Sequence, residues 1–379
     1  MTVQGLPYLI VTMDYTTTCA GTCPTCVLGK AERLETGPAS TVEAISIGMK
    51  AAAAHYGYVE TLAVGIGRAN VLMLPHSSIA EIVEILEIAK REFKYGSIIA
   101  EISTSLIGKI EPQIERAKKL AIALEGIGVD ARFVVVGNTA LVSEKYWANL
   151  DQFLGAMEEF RGGRKVEDNG DILQLALSVE SLPNPEKLVS RMIGYGFPIN
   201  VAWAPGHDSG ARSEEGLKRL EDWLTDFYGL SITHGLDSSL VNRIGAAVDV
   251  AMPTLTEAAQ HAARSSEAIV YISPDGQWHN GLFTALAEMD PVRFDPVPTD
   301  KTMAGVSARE LRQFMTNPAC TACPFTGPCV SAGGHKIAQI ALRNFTQGTT
   351  TCPNGLQKSF AKATQAKTNN SREAVHAFS

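Results

Sequence analysis

The chain has 379 residues, 45% of them hydrophobic and 19% charged, an ordinary globular balance with room for two domains or one large barrel with an appendage. A formal net charge of -7, with Lys and Arg scattered along the chain, excludes the basic footprint of a nucleic-acid binder. The N-terminal apolar run GLPYLIVTM has no basic residue before it and is too short for a membrane span or a signal peptide, so a cytoplasmic location is expected.

Taken in chain order, short runs rich in Val, Ile and Leu alternate with amphipathic stretches. The runs are PYLIVTM (7–13), ETLAVGI (60–66), SIIAEIS (97–103), ARFVVVG (131–137), ILQLALSV (172–179) and FPINVAW (197–203). Each reads as a strand buried on both faces. Between and after them lie helical patterns beginning at 41, 77, 110, 143, 184 and 213. Six strand-helix units in series predict an α/β fold, a parallel sheet curled into a partial (β/α)6 barrel of the TIM type over 1–230. In such barrels the chemistry gathers at the C-terminal ends of the strands.

Past residue 230 the pattern changes: two helical stretches (238–251 and 254–266) lead to AIVYISPDGQWHNGLF, where Asp275-Gly276 reads as a hairpin turn. A loop-rich, cysteine-bearing segment completes a second unit over 231–358. The polar residues 359–379 read as a frayed tail.

The seven cysteines divide into three and four. TTTCAGTCPTC, directly after the first strand, holds Cys19, Cys23 and Cys26; NPACTACPFTGPCVSAGG holds Cys320, Cys323 and Cys329, and TTTCPNG holds Cys352. In a reducing compartment clustered thiols are metal or cluster ligands more often than disulfides. Four local cysteines complete a structural zinc site or a four-iron four-sulfur cluster, whereas three leave one ligand position open. The open position lies at the mouth of the predicted barrel.

CAGTCPTC at the end of the first strand of such a barrel resembles the CxxxCxxC signature of the radical S-adenosylmethionine (SAM) enzymes. The resemblance implies that SAM supplies the missing ligand through its amino and carboxylate groups, and that an electron from a [4Fe-4S] cluster splits SAM to a 5'-deoxyadenosyl radical that abstracts hydrogen from a substrate. The C-terminal cysteines are similar to the outer auxiliary-cluster ligands of the SPASM and Twitch subgroup. The hairpin resembles the segment that supplies that subgroup's inner cluster, but Gly281 and Gly333 stand where the inner cysteines would fall. One auxiliary cluster is therefore implied, and two [4Fe-4S] clusters in all.

Carried over residue by residue, the resemblance assigns SAM contacts to Gly65, Gly67 and Arg68 in GIGRAN, which replaces the family's GGEP stretch. It further assigns Ser103 and Ser105 in ISTS, Asn138 at the end of the fourth strand, and Ala202 and Trp203 at the end of the sixth. The family's aromatic before the third cysteine is Thr25 here. It implies an oxidoreductase that modifies a peptide, an electron donor of the flavodoxin or ferredoxin type, and room for a separate peptide-recognition protein, since only 18 residues precede Cys19.

Other readings stand beside these. The first cysteines suit an incomplete zinc set, with no His before His55, and the last four suit a zinc knuckle. Gly65 and Gly67 can simply end a strand, and Ser103, Ser105 and Asn138 can serve as caps. Arg68, Asp208 and Glu180 can be solvated charges, and His207, His279 and His335 structural histidines. The functional alternatives are a small-molecule radical SAM dehydrogenase, expected to have a closed pocket, and a non-catalytic iron-sulfur or zinc protein.

Overall fold

The computed structural model describes residues 6–16, 39–67, 70–140, 142–163, 170–196, 198–203, 213–249, 269–279, 316–331 and 348–377. All six expected strands are present: β1 (Leu6–Met13), β2 (Tyr58–Ile66), β3 (Lys94–Thr104), β4 (Asp130–Asn138), β5 (Ile172–Leu177) and β6 (Ile199–Trp203). They lie side by side in sequence order, each parallel to the next. The fifth run stops two residues early, because Val179–Ser181 forms a 3-10 turn.

The crossovers are α1 (Val42–His55), α2 (Ser78–Glu92), α3 (Glu111–Glu125), α4 (Glu144–Phe160) and α5 (Pro185–Tyr195); α6 (Glu214–His234) and α7 (Ser239–Asp249) follow β6. Local chemistry fixes their starts. The side chains of Thr41, Ser143, Asn184 and Ser213 each accept a backbone N–H from the first turn, and Gly196 and Gly235 end α5 and α6 in the left-handed conformation.

Right-handed crossovers between strands in sequential order put all the intervening helices on one face of the sheet. Leu9, Val11, Met13, Leu62, Val64, Ile66, Ala100, Ile102, Phe133, Val135, Leu173 and Leu175 are buried in one continuous core. Phe133 on β4 meets Phe153 of α4 edge to face, which identifies the helix side. The alternate residues, among them Tyr8, Thr12, Glu101, Ser103 and Arg132, face the other way and line the inside of the partial barrel. There Tyr8, Glu101 and Arg132 form a hydrogen-bonded and ionic group, with Arg132 Nη1 3.4 Å from Glu101 Oε1 and 3.2 Å from the Tyr8 hydroxyl. Burial pushes the Glu101 carboxyl up, against the pull of Arg132.

The hairpin lies at Asp275-Gly276 as expected, between β7 (Ile269–Ile272) and β8 (Trp278–His279). Both strands belong to the main sheet. β7 pairs in parallel with β1, giving eight strands in the order β6-β5-β4-β3-β2-β1-β7-β8. Gly276 has φ +81°, and a Cβ there would come 2.6 Å from the carbonyl oxygen of Ala44, so the turn packs against α1 only because it lacks a side chain.

The C-terminal segment contains the short helices α8 (Pro318–Thr321) and α9 (Thr326–Ser331), then α10 (Gln357–Ala377). The last corrects the frayed tail. Residues 359–377 continue a helix packed on α6 and α7, with Ser359 and Phe360 buried and Phe360 only 1% exposed. Lys358 pairs with Asp222 and, at 3.6 Å, with Glu221 of α6. Apolar residues are few there, but Leu356, Phe360 and Ala363 fall on one face. The second helical stretch, 254–266, lies outside the described residues. Among the described residues no helix is long and apolar enough to cross a membrane.

Candidate functional site

The C-terminal ends of β1 to β6 form one crest, and the segment carrying the first cysteines springs from it. Its two ends are pinned together: the Ala39 N–H donates to the Tyr15 carbonyl at 2.8 Å, and the Ser40 hydroxyl donates to the Asp14 carbonyl at 3.0 Å. The buried Asp14 carboxylate also accepts the Tyr271 hydroxyl at 2.6 Å, and the Tyr15 hydroxyl donates to Glu81 of α2 at 2.6 Å. Cys19, Cys23 and Cys26 themselves, with Thr25, lie outside the described residues, as do Arg68, His207, Asp208, Gly281, Gly333 and His335.

Gly65 and Gly67 stand beside this root. A Cβ on Gly65 would come 3.1 Å from Thr12 Cγ2. The Gly67 N–H donates to the Met13 carbonyl at 2.9 Å with φ +76°, and a Cβ there would come 3.0 Å from Thr16 Cγ2. Glycine thus lets the end of β2 lie flat against the start of the cysteine segment. On β3, Ser103 is half-buried and faces the barrel interior. Ser105 is 9% exposed, and its hydroxyl has no hydrogen-bond partner among the described residues. A buried hydroxyl with none is unusual enough to need an explanation, and a ligand's polar group would provide one.

Asn138 is partly committed, since its side-chain oxygen accepts the Ala140 N–H at 2.9 Å and closes the turn after β4. Ala202 and Trp203 stand in register with Ala176 and Leu177 at the end of β5. Glu180 accepts the Ser178 hydroxyl at 3.1 Å. His279 is buried, its ring 6.3 Å from that of Tyr271.

Two features escape sequence reasoning. One is the buried chain Asn70, Thr104 and Gln113. Asn70 Nδ2 donates to Gln113 Oε1 at 2.8 Å, the Thr104 hydroxyl donates to Asn70 Oδ1 at 2.9 Å, and Gln113 Nε2 donates to the carbonyls of Ile107 and Lys109. It locks the crest loops after β2 and β3 together. The other is Leu106, a non-glycine residue at φ 51°, whose carbonyl accepts the Asn149 amide at 2.7 Å. No local pattern signals either, although a polar residue ending GIGRAN was a hint.

The four C-terminal cysteines come together under α6. Asn317 caps α8 and so places Cys320; the Thr326 hydroxyl donates to the carbonyls of Cys320 and Cys323. Glu214, at the start of α6, accepts the N–H groups of Thr350 and Thr351 and so holds the loop leading into Cys352. Asn354 spans the set. Its amide donates to Cys329 Sγ at 3.0 Å, and Cys352 Sγ donates to its side-chain oxygen at 2.9 Å. The Phe325 N–H points to Cys323 Sγ at 3.4 Å.

Burial, and then the neighbouring thiols, push Cys320 up to about 12; burial pushes Cys352 up to about 11 and also raises Cys323 and Cys329. Two buried and two half-buried thiols, all raised by desolvation and two of them also by neighbouring thiols, suit a cationic centre, which would hold them as thiolates. Among the described residues, no three His, Cys, Asp or Glu side chains converge as one metal ion requires. A four-iron cluster spreads its ligands more widely than a single zinc, whose sulfur distances are about 2.3 Å.

No protein-family model and no curated protein matches this sequence. Among solved structures, native anSMEcpe with bound AdoMet and a Cp18Cys peptide has TM-score 0.58 and 10% identity over 96% of this chain and 99% of its own. The same protein with bound AdoMet and a Kp18Cys peptide has TM-score 0.57 and 9% identity over 96% and 100%. With bound AdoMet, it has TM-score 0.56 and 10% identity over 96% and 98%. At such identity the likeness establishes the fold. This chain has the fold of anSMEcpe, here a partial β/α barrel followed by a cysteine-bearing C-terminal segment.

Proposed function

We propose that the protein is a radical SAM enzyme that oxidatively modifies a peptide. In this reading Cys19, Cys23 and Cys26 hold a SAM-binding [4Fe-4S] cluster, and Cys320, Cys323, Cys329 and Cys352 hold a fully ligated second one. The observation that carries it is the whole-length fold likeness to anSMEcpe, a structure containing AdoMet and peptide. Units 1–230 and 231–358 divide the work, SAM and substrate in the first and electron acceptance in the second.

When bound, the SAM-ligated cluster supplies a 5'-deoxyadenosyl radical. The chain's own residues hold SAM at the crest. Gly65 and Gly67 admit its amino acid portion close to the backbone, with Arg68 pairing with a carboxylate. Ser103, Ser105 and Asn138 meet its carboxylate or ribose, Ser105 with its buried hydroxyl, while Ala202 and Trp203 border the adenine.

All seven cysteines serve as ligands, so no thiol remains to return a hydrogen atom. A substrate that had given up one hydrogen atom would then have to release one proton to solvent and one electron, for which the centre that Cys320, Cys323, Cys329 and Cys352 would hold is the acceptor in this reading. The product is two hydrogens lighter, either cross-linked or dehydrogenated. A flavodoxin- or ferredoxin-type donor supplies the initial electron. Reduced, reconstituted protein incubated with SAM should release 5'-deoxyadenosine; none would sink the reading. A product of unchanged mass carrying one solvent deuterium would refute the oxidative outcome alone.

A further inference from the structure

We infer that Asn354 is a positioning residue for the C-terminal centre: its side chain fixes Cys329 against Cys352, and its N–H group sets the potential of the cluster they hold. This rests on the proposed two-cluster reading.

Asn354 is 3% exposed, so its amide hydrogens are not spent on solvent. One half of the side chain is structural. Its Oδ1 accepts the Leu356 N–H at 3.1 Å, closing a turn over two residues at the entrance to α10. The other half faces sulfur, with Nδ2 at 3.0 Å from Cys329 Sγ. Cys329 is buried, and a thiolate there needs a donor close by. Cys352, two residues upstream, reaches the same side chain from the opposite side while it remains a thiol. The two cysteines are 23 residues apart in sequence and meet through this one amide.

Hydrogen bonds to sulfur stabilise the more negative, reduced state of an iron-sulfur cluster and raise its potential. Removing the donor should therefore make the C-terminal centre harder to reduce. The two halves of the side chain are separable. Asn354→Asp keeps the oxygen that accepts from Leu356 but loses the donor and adds a charge, whereas Asn354→Ser keeps the turn through its hydroxyl, stays neutral and is too short to reach Cys329.

The test is an EPR-monitored redox titration of the reconstituted full chain, with the SAM-binding centre as an internal reference. Both variants should shift the C-terminal potential to more negative values, Asp further than Ser, with the first centre unchanged. Loss of iron from about eight to about four per chain in Asn354→Ser, with the unfolding of the metal-free protein unaltered, would also support the assignment. An unchanged potential with full iron in Asn354→Ser overturns it, as does a shift confined to Asp, which would be charge alone. A wild-type protein carrying a single cluster would refute the two-cluster reading instead.

Discussion

The barrel and the C-terminal segment are built on different principles. In the barrel, Leu9, Leu62, Val64, Ile85, Ile102, Phe133, Leu150 and Leu173 are buried together in a continuous core, and backbone hydrogen bonds run across every strand pair. In the C-terminal segment, two helices of four and six residues are held by caps, by Glu214 and by contacts to sulfur. Apolar burial runs throughout the first, whereas the second adds to its few core residues, Val330, Leu356, Phe360 and Ala363, a framework of polar contacts.

The largest expected effect separates them by activity. Replacing Cys19, Cys23 and Cys26 together with Ala should abolish SAM cleavage and lower iron from about eight to about four per chain while the barrel melts as before. Full iron retention would remove the first cluster from those residues. A barrel that unfolds with it would break the comparison.

Phe360→Ala attacks the flank from its apolar side. Truncating a buried aromatic costs about 3–5 kcal/mol, and here the loss should undock α10 and free the Cys352 loop first. Hydrogen exchange should show residues 348–377 opening while β1 to β4 stay protected; protection lost uniformly would make the molecule one cooperative unit.

Gly67→Ala probes the crest. Forcing a side chain into the left-handed conformation costs about 1–3 kcal/mol, and a Cβ at 3.0 Å from Thr16 should disturb the root of the cysteine segment. We expect a raised KM for SAM with second-centre iron unchanged, read by 5'-deoxyadenosine kinetics and iron analysis; unchanged kinetics would remove Gly67 from the site.

The smallest effect concerns Glu101 in the barrel interior. Burial raises its carboxyl in the folded state, so folding binds a proton there more tightly than the unfolded chain does. That contribution is fully present below the ordinary carboxylate range and is lost as pH rises through the raised folded value. Glu101→Gln should flatten the pH dependence of denaturant-induced unfolding over that window, and an unaltered slope would show that Arg132 already compensates.

By itself the sequence determined the six strand-helix units, their order, the Asp275-Gly276 turn and the division of the cysteines, because each is written in local periodicity, capping chemistry or spacing. Only the tertiary structure decided what depends on distant partners. The hairpin pairs with β1 across 259 residues, the Tyr271 hydroxyl reaches Asp14 across 257, and nothing near residue 271 encodes either contact. The tail becomes a helix because α6 and α7 give its narrow apolar face, Leu356, Phe360 and Ala363, something to cover. The Asn70, Thr104 and Gln113 chain and the Asn354 clamp were illegible for the same reason: a polar side chain acquires its role when burial removes water and leaves it one partner to satisfy.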